Sequence, residues 1–175
     1  MVALNIRPGR IISEVLDAIS VSNRRTKVLV LRVYAEKVHH LFNYGMNACN
    51  DQTLVENCIE ELFLHIEDRP DLRLDSGSID GNLFKIFRRL LIKHTATAKK
   101  RSTSGICENL FSTPRPMTQR ITNLQREALF LKFRSGLSYR EVASVLDLTS
   151  SQLLNQVSKA VDILLDKNKS TTSDS

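Results

Sequence analysis

Three helix-start signatures follow one another between residues 122 and 152, and they constrain the fold more than any other feature of the chain. Thr122-Asn-Leu-Gln125, Ser138-Tyr-Arg-Glu141 and Thr149-Ser-Ser-Gln152 each put a hydroxyl at a helix N-cap and a Glu or Gln three residues later. In such a capping box the hydroxyl accepts from a backbone N–H that the first turn leaves without a partner. The longer side chain accepts in return from the N–H of the capping residue. Gly136 falls just past the first of these helices, where a left-handed stop suits glycine. Only Leu146 to Thr149 separate the second helix from the third. A short helix, a tight turn and a longer helix make a helix-turn-helix, the device that presents a helix to the DNA major groove.

The remainder of the chain also reads as helix. Ile12, Val15, Leu16 and Ile19 are spaced as one face of a helix over Ile11 to Ser20. Arg25 to Ala48 carries Val30, Leu31, Tyr34, Val38, Leu41 and Phe42 on one side; Val28 to Leu31 alone resembles a strand, but the helical spacing continues beyond it. Asn50-Asp51 makes a turn. Leu54 to Ile66 follows, with Leu54, Val55, Cys58, Leu62 and Ile66 inward, and then a loop at Pro70 to Gly81. Asn82 to Thr97 is the fourth helix. Lys99 to Thr118 is rich in Ser and Thr, holds Pro114 and Pro116, and lacks apolar periodicity, so it reads as a flexible linker. The predicted fold class is all-α: a helical domain over 1–101, a linker over 102–120, a helix-turn-helix domain over 121–168 and a disordered polar tail over 169–175.

Charge is distributed unevenly along this plan. From Asp80 to Arg101 there are seven basic side chains and one acid, a net of +6, which equals the excess of the whole chain. Lys85, Arg88, Arg89 and Lys93 oppose the apolar stripe Leu83, Phe84, Phe87, Leu90 and Leu91, and Lys99, Lys100 and Arg101 follow. A face of one sign is a candidate phosphate contact, whereas merely solvated faces usually mix both signs. The preceding helix is the opposite, with Asp51, Glu56, Glu60, Glu61, Glu67, Asp68 and Asp71 forming an acidic surface suited to a basic protein or simply to solubility. The third helix of the C-terminal unit buries Leu153, Val157, Ala160, Val161 and Leu164 and turns Ser151, Gln152, Asn155 and Lys159 outward, as candidate readers of base edges. From Leu137 to Lys167 three bases face four acids, a net of −1, so this unit by itself binds DNA weakly.

Other function classes find little support. His39, His40, His65 and His94 form no metal-ligand spacing, because adjacent residues on a helix diverge, and there is no HExxH, CxxC or phosphate-binding glycine loop. No catalytic residue, metal or cofactor is expected. Cys49, Cys58 and Cys107 are odd in number and scattered, which suits a reducing cytosol, and no apolar run reaches the length of a membrane span or signal core. A cytoplasmic protein without membrane contact is the expectation.

With these residues in place, the chain resembles bacterial RNA polymerase sigma factors of the extracytoplasmic-function type. Gln125-Arg-Glu-Ala-Leu-Phe-Leu-Lys-Phe133 and Gly136-Leu-Ser-Tyr-Arg-Glu-Val-Ala143 are similar to region 4 of that family. Tyr34 through Phe63, above all Leu54-Val-Glu-Asn-Cys-Ile-Glu-Glu-Leu-Phe63, is similar to region 2, and Leu83-Phe-Lys-Ile-Phe-Arg-Arg-Leu-Leu91 fits the next helix. The resemblance spans residues 11–167. It implies that Glu56, Asn57, Glu60 and Glu61 dock on the β′ clamp helices of core polymerase. It implies further that Lys85, Arg88, Arg89, Lys93, Lys99, Lys100 and Arg101 grip the downstream (−10) promoter element. Phe130 and Phe133 become candidates for the β flap, although at least one of them is expected to pack internally. Ser151, Gln152, Asn155 and Lys159 become readers of the upstream (−35) element, with Arg140 on backbone phosphate. Family members often carry Arg or His near Leu154, Gln156 or Ser158, which are uncharged here. That leaves two alternatives: a sigma-like factor addressed to DNA by a separate DNA-bound partner, an RNA-guided one included, or a helix-turn-helix regulator that does not engage polymerase. An anti-sigma factor is a further partner that the resemblance implies.

Overall fold

The computed structural model describes residues 24–68, 79–101, 110–111 and 120–170, with side chains described over most of them. The predicted first helix, the Pro70–Gly81 loop before Ile79, most of the linker and the tail from residue 171 lie outside the described residues. Among the described residues the ordered elements are all helices: α1 (Arg24–Cys49), α2 (Gln52–Asp68), α3 (Ile79–Arg101), α4 (Asn123–Phe133), α5 (Tyr139–Val145) and α6 (Ser150–Ser170). The all-α expectation holds, and Val28–Leu31 is part of α1.

The N-terminal lobe is a three-helix unit. α1 buries Val33, Tyr34, Val38, Leu41, Phe42, Tyr44 and Ala48; α2 buries Val55, Cys58, Ile59, Leu62, Phe63 and Ile66; α3 buries Leu83, Phe84, Phe87 and Leu91. Each set recurs at three- and four-residue steps, so each helix turns one apolar face into the shared core. Tyr34 and Phe63 meet edge to face at 4.9 Å. The turn between α1 and α2 is made by Asn50 in the left-handed region (φ 54°), whose N–H returns to the Met46 carbonyl at 3.1 Å. Asp51 then caps α2, its Oδ1 accepting from the Leu54 N–H at 3.0 Å. At Gly45 the helices approach so closely that a Cβ there meets both Val55 methyls at 2.8 Å.

The C-terminal lobe is the helix-turn-helix with its supporting helix. All three capping boxes form: Thr122 with Gln125, Ser138 with Glu141, and Thr149 with Gln152. Gly136 sits at φ 75°, and the Leu137 N–H returns to the Leu131 carbonyl at 3.2 Å. The turn between α5 and α6 passes through Asp147 at φ 54°, a left-handed position that Asp tolerates. Ala128, Leu131, Val142, Ala143, Val145, Leu153, Val157 and Ala160 form the core of this lobe.

One apolar cluster runs through both lobes without a break. Leu110 and Phe111, inside the segment read as a linker, belong to it and are 9% and 5% exposed. The Phe111 N–H donates to the Ala48 carbonyl at 2.7 Å, and its ring lies 5.6 Å from Tyr44 and 5.8 Å from Phe130. A two-residue anchor offers no periodicity to read, which is why it was legible only as part of a polar stretch.

Candidate nucleic-acid interface

The basic face of α3 divides into inward and outward members. The Arg88 Nε donates to Glu127 Oε1 at 2.8 Å, and its Nη2 lies 3.5 Å from Glu127 Oε2. The Tyr44 hydroxyl donates to the same Oε1 at 2.5 Å. Glu127 belongs to α4, Arg88 to α3 and Tyr44 to α1, so the cluster joins the two lobes. Glu127 is 3% exposed and Tyr44 not at all. Burial, then the adjacent Glu127 carboxylate, pushes the Tyr44 phenol far above its ordinary range, so it stays a donor. Burial is the largest influence on Arg88 and opposes its charge, but the hydrogen bond to Glu127 and the attraction of Glu127 and its neighbours together outweigh it and raise the guanidinium's affinity for its proton. A second cross-lobe pair flanks the first, with Lys85 Nζ 2.9 Å from Asp147 Oδ1 in the helix-turn-helix turn.

Arg89 is exposed, and Lys93 Nζ turns back to Glu61 Oε1 at 3.0 Å. His94 Nε2 lies 2.5 Å from Glu61 Oε2, and these two partners, His94 first, hold the Glu61 carboxyl below the usual range. The sequence reading of α3 as one outward cationic face therefore requires a correction: Lys85 and Arg88 face carboxylates of the C-terminal lobe, and Lys93 faces α2. The cause is the acidic residues opposite them, which are distant in sequence. The side chains of Lys99, Lys100 and Arg101 lie outside the described residues, although the helix runs to Arg101.

The acidic helix presents Asn57 outward and Glu56, Glu60 and Glu61 half-buried; Glu56 Oε1 accepts from Gln52 at 2.8 Å. Cys58 is fully buried in the core, and burial pushes its thiol up to about 12, so it is inert. Among the described residues no group of three His, Cys, Asp or Glu side chains converges as a metal site, and no helix is long and apolar enough to cross a membrane.

On the helix-turn-helix, Arg140, Ser151, Gln152, Asn155 and Lys159 are all exposed. Leu153, Val157 and Ala160 point inward as the periodicity requires. Gln152 has a competing duty: its Oε1 accepts from the Thr149 N–H at 2.9 Å and from the Thr149 hydroxyl at 3.1 Å. A carboxamide held in a cap presents no open fork to adenine, so Asn155 is the better-placed amide.

Phe130 and Phe133 part company. The Phe130 ring packs 6.0 Å from Tyr44, whereas Phe133 is 63% exposed. Both line an apolar groove of about 640 Å³ shared with Phe111, Ile121, Leu129, Val161 and Leu164, with Arg126 and Arg134 at its polar edge. Arg126 donates to Asn123 and is otherwise desolvated, which lowers its affinity for a proton. The cross-lobe cluster is the feature that sequence reasoning missed. Its one signal is Glu127, a carboxylate next to Ala128 and one turn from Leu124 and Leu131 on the apolar side of α4.

No protein-family model and no curated protein matches this chain. Among solved structures the chain is similar to the sigma factor RpoE from Bartonella quintana, determined in complex with the anti-sigma factor NepR. The TM-score is 0.62 at 16% sequence identity, over 79% of this chain and 95% of that one. This chain has the all-helical fold of a bacterial sigma factor.

Proposed function

We propose that this chain is a sigma factor that binds core RNA polymerase and directs transcription initiation at specific promoters. One observation carries the reading: a fold shared with nearly the whole length of a sigma factor ends in a helix-turn-helix whose reading face is open. Residues 1–101 serve as the region 2-like domain and 121–168 as the region 4-like domain, with 102–120 between them. Glu56, Asn57, Glu60 and Glu61 dock on the β′ clamp helices. The apolar groove around Phe133, with Phe130 as its floor, takes the β flap. Arg89, Lys99, Lys100 and Arg101, joined by Lys85, Arg88 and Lys93 once these leave their carboxylate partners, hold the −10 element. Asn155, Ser151 and Lys159 read the −35 element, with Gln152 joining them only when it leaves its cap and Arg140 on phosphate. The protein carries out no catalysis of its own and works in the cytoplasm, where polymerase and promoter are. The neighbour's anti-sigma complex supports an anti-sigma factor as a further partner.

A second reading, address by a separate DNA-bound protein, is favoured by the net −1 of residues 137–167 and by the engagement of Gln152 in its cap. The test is reconstituted transcription with bacterial core polymerase at physiological salt, with start sites mapped with and without this chain. Stoichiometric binding with new start sites supports the first reading. Binding without start sites supports the second, and no binding at all overturns both. Phe133→Ser should weaken core binding while leaving the melting temperature unchanged, since the ring is mostly in solvent.

A further inference from the structure

The groove beside Phe133 holds a cation that is treated unlike the others. Lys37, Lys85, Arg88 and Lys93 each meet a carboxylate, of Asp80, Asp147, Glu127 and Glu61 in turn. Arg126 meets only the neutral carboxamide oxygen of Asn123, through Nη2. Its Nε and Nη1 are buried and have no hydrogen-bond partner. Arg134 lines the same groove and is exposed, and no Asp or Glu is among the described residues that line it. We propose that this groove is a binding site for a small monoanionic amphiphile, its carboxylate received by Arg126 and Arg134 and its apolar chain laid along Phe111, Phe130, Phe133, Val161 and Leu164.

Each half of the site calls for one half of such a ligand. A donor buried without an acceptor is a standing penalty in the free protein, and an anionic oxygen removes it with a charge-assisted hydrogen bond. Desolvation acts on Arg126 with no carboxylate to offset it, so a ligand carboxylate supplies the countercharge that the chain itself does not. The long unbranched stem of Arg126 swings its guanidinium between staggered positions, which turns these donors toward a ligand. The apolar wall calls for the other half: Phe133 is 63% exposed, and an alkyl chain laid against it removes that ring from water. At about 640 Å³ the groove lies within the range of about 300–1,000 Å³ usual for small-molecule sites, which combine an apolar lining with a few polar groups that fix orientation. An inorganic anion leaves the rings wet, and a neutral alkane leaves the guanidinium unmet; a carboxylate on an apolar chain satisfies both. A filled groove cannot also take the β flap, so the ligand competes with the docking proposed above.

The test is calorimetric titration of the full chain with decanoate and with decyltrimethylammonium, both below the concentrations at which they form micelles. The two probes share an alkyl chain and differ in the sign of the head. One decanoate should bind per chain, and the cationic probe should bind far more weakly. Arg126→Met keeps the apolar stem and removes the charge. It should weaken decanoate about tenfold, the loss expected for one hydrogen bond to a charged group, without lowering the melting temperature. Arg134→Glu, a change at an exposed position, should weaken decanoate about threefold and leave the circular dichroism spectrum unaltered. Equal affinity for the two probes, several decanoates per chain, or undiminished binding by Arg126→Met would each overturn the site and leave only adsorption to an apolar surface. Failure of the chain to bind core polymerase would instead undo the sigma-factor reading and leave the decanoate titration as it is.

Discussion

Arg88 on α3 and Glu127 on α4, thirty-nine residues apart, meet at 2.8 Å in the seam between the lobes, under the hydroxyl of Tyr44. The two lobes that periodicity separates are thus joined through a charged, buried contact as well as an apolar one.

Removing one side of this contact should cost more than removing a neutral donor. Arg88→Ala leaves Glu127 as a buried carboxylate without its cation, a loss of about 3 kcal/mol. Tyr44→Phe removes one hydrogen bond and keeps the ring contacts, a loss of about 1 kcal/mol. Urea titrations of the full chain followed by circular dichroism should rank them in that order, and equal midpoints would show that the charge at Glu127 is solvated after all.

Gly45 should resist enlargement. A methyl there meets Val55 Cγ1 and Cγ2 at 2.8 Å and Phe87 Cζ at 3.3 Å. Overpacking of this kind costs about 1–3 kcal/mol, against a helix-propensity gain of about 1 kcal/mol for Ala over Gly. Gly45→Ala should lower the urea midpoint, and Gly45→Ala combined with Val55→Ala should lose less than the two single changes summed.

Gln152 and Asn155 should separate cap from reader. Gln152→Ala frees the Thr149 N–H from its side-chain acceptor and should lower stability by about 0.5 kcal/mol, since Thr149 itself still caps the helix. Asn155→Ala should leave the melting temperature alone and reduce discrimination among upstream promoter sequences, measured by competition between promoter variants. Unaltered discrimination would favour address by a partner.

Acid should loosen the structure through carboxylates that are held ionised. The hydrogen bond from Lys85 holds the Asp147 carboxyl below its ordinary range, and His94 and Lys93 do so for Glu61. Both groups bind a proton more readily in the unfolded chain. Their contribution is therefore complete above an unfolded value of about 4 and is lost as pH falls through the depressed folded values. The melting temperature should decline along this acid limb, and the limb should be shallower in Asp147→Asn. Both side chains are more than a third exposed, so solvent keeps the effect small.

Much of the architecture was legible because it rests on local rules. A hydroxyl with a carboxamide or carboxylate three residues on gives the three caps wherever the chain sits, and the inward set Leu153, Val157 and Ala160 follows from helical spacing alone. The outward direction of Ser151, Asn155 and Lys159 was legible for the same reason. Phe111 was not, because two buried residues inside a polar segment make no pattern. Nor was the duty of Gln152, since a capping residue and a base reader look alike in sequence.

By itself the amino-acid sequence determined which segments are helical, which face of each is apolar and where the helix-turn-helix lies, since those depend on neighbours within four residues. Only the tertiary structure decided what the charged faces touch. Whether Arg88 and Lys85 meet solvent, phosphate or carboxylate depends on Glu127 and Asp147, tens of residues away, and a Coulomb interaction between side chains acts through space with no memory of the chain between them.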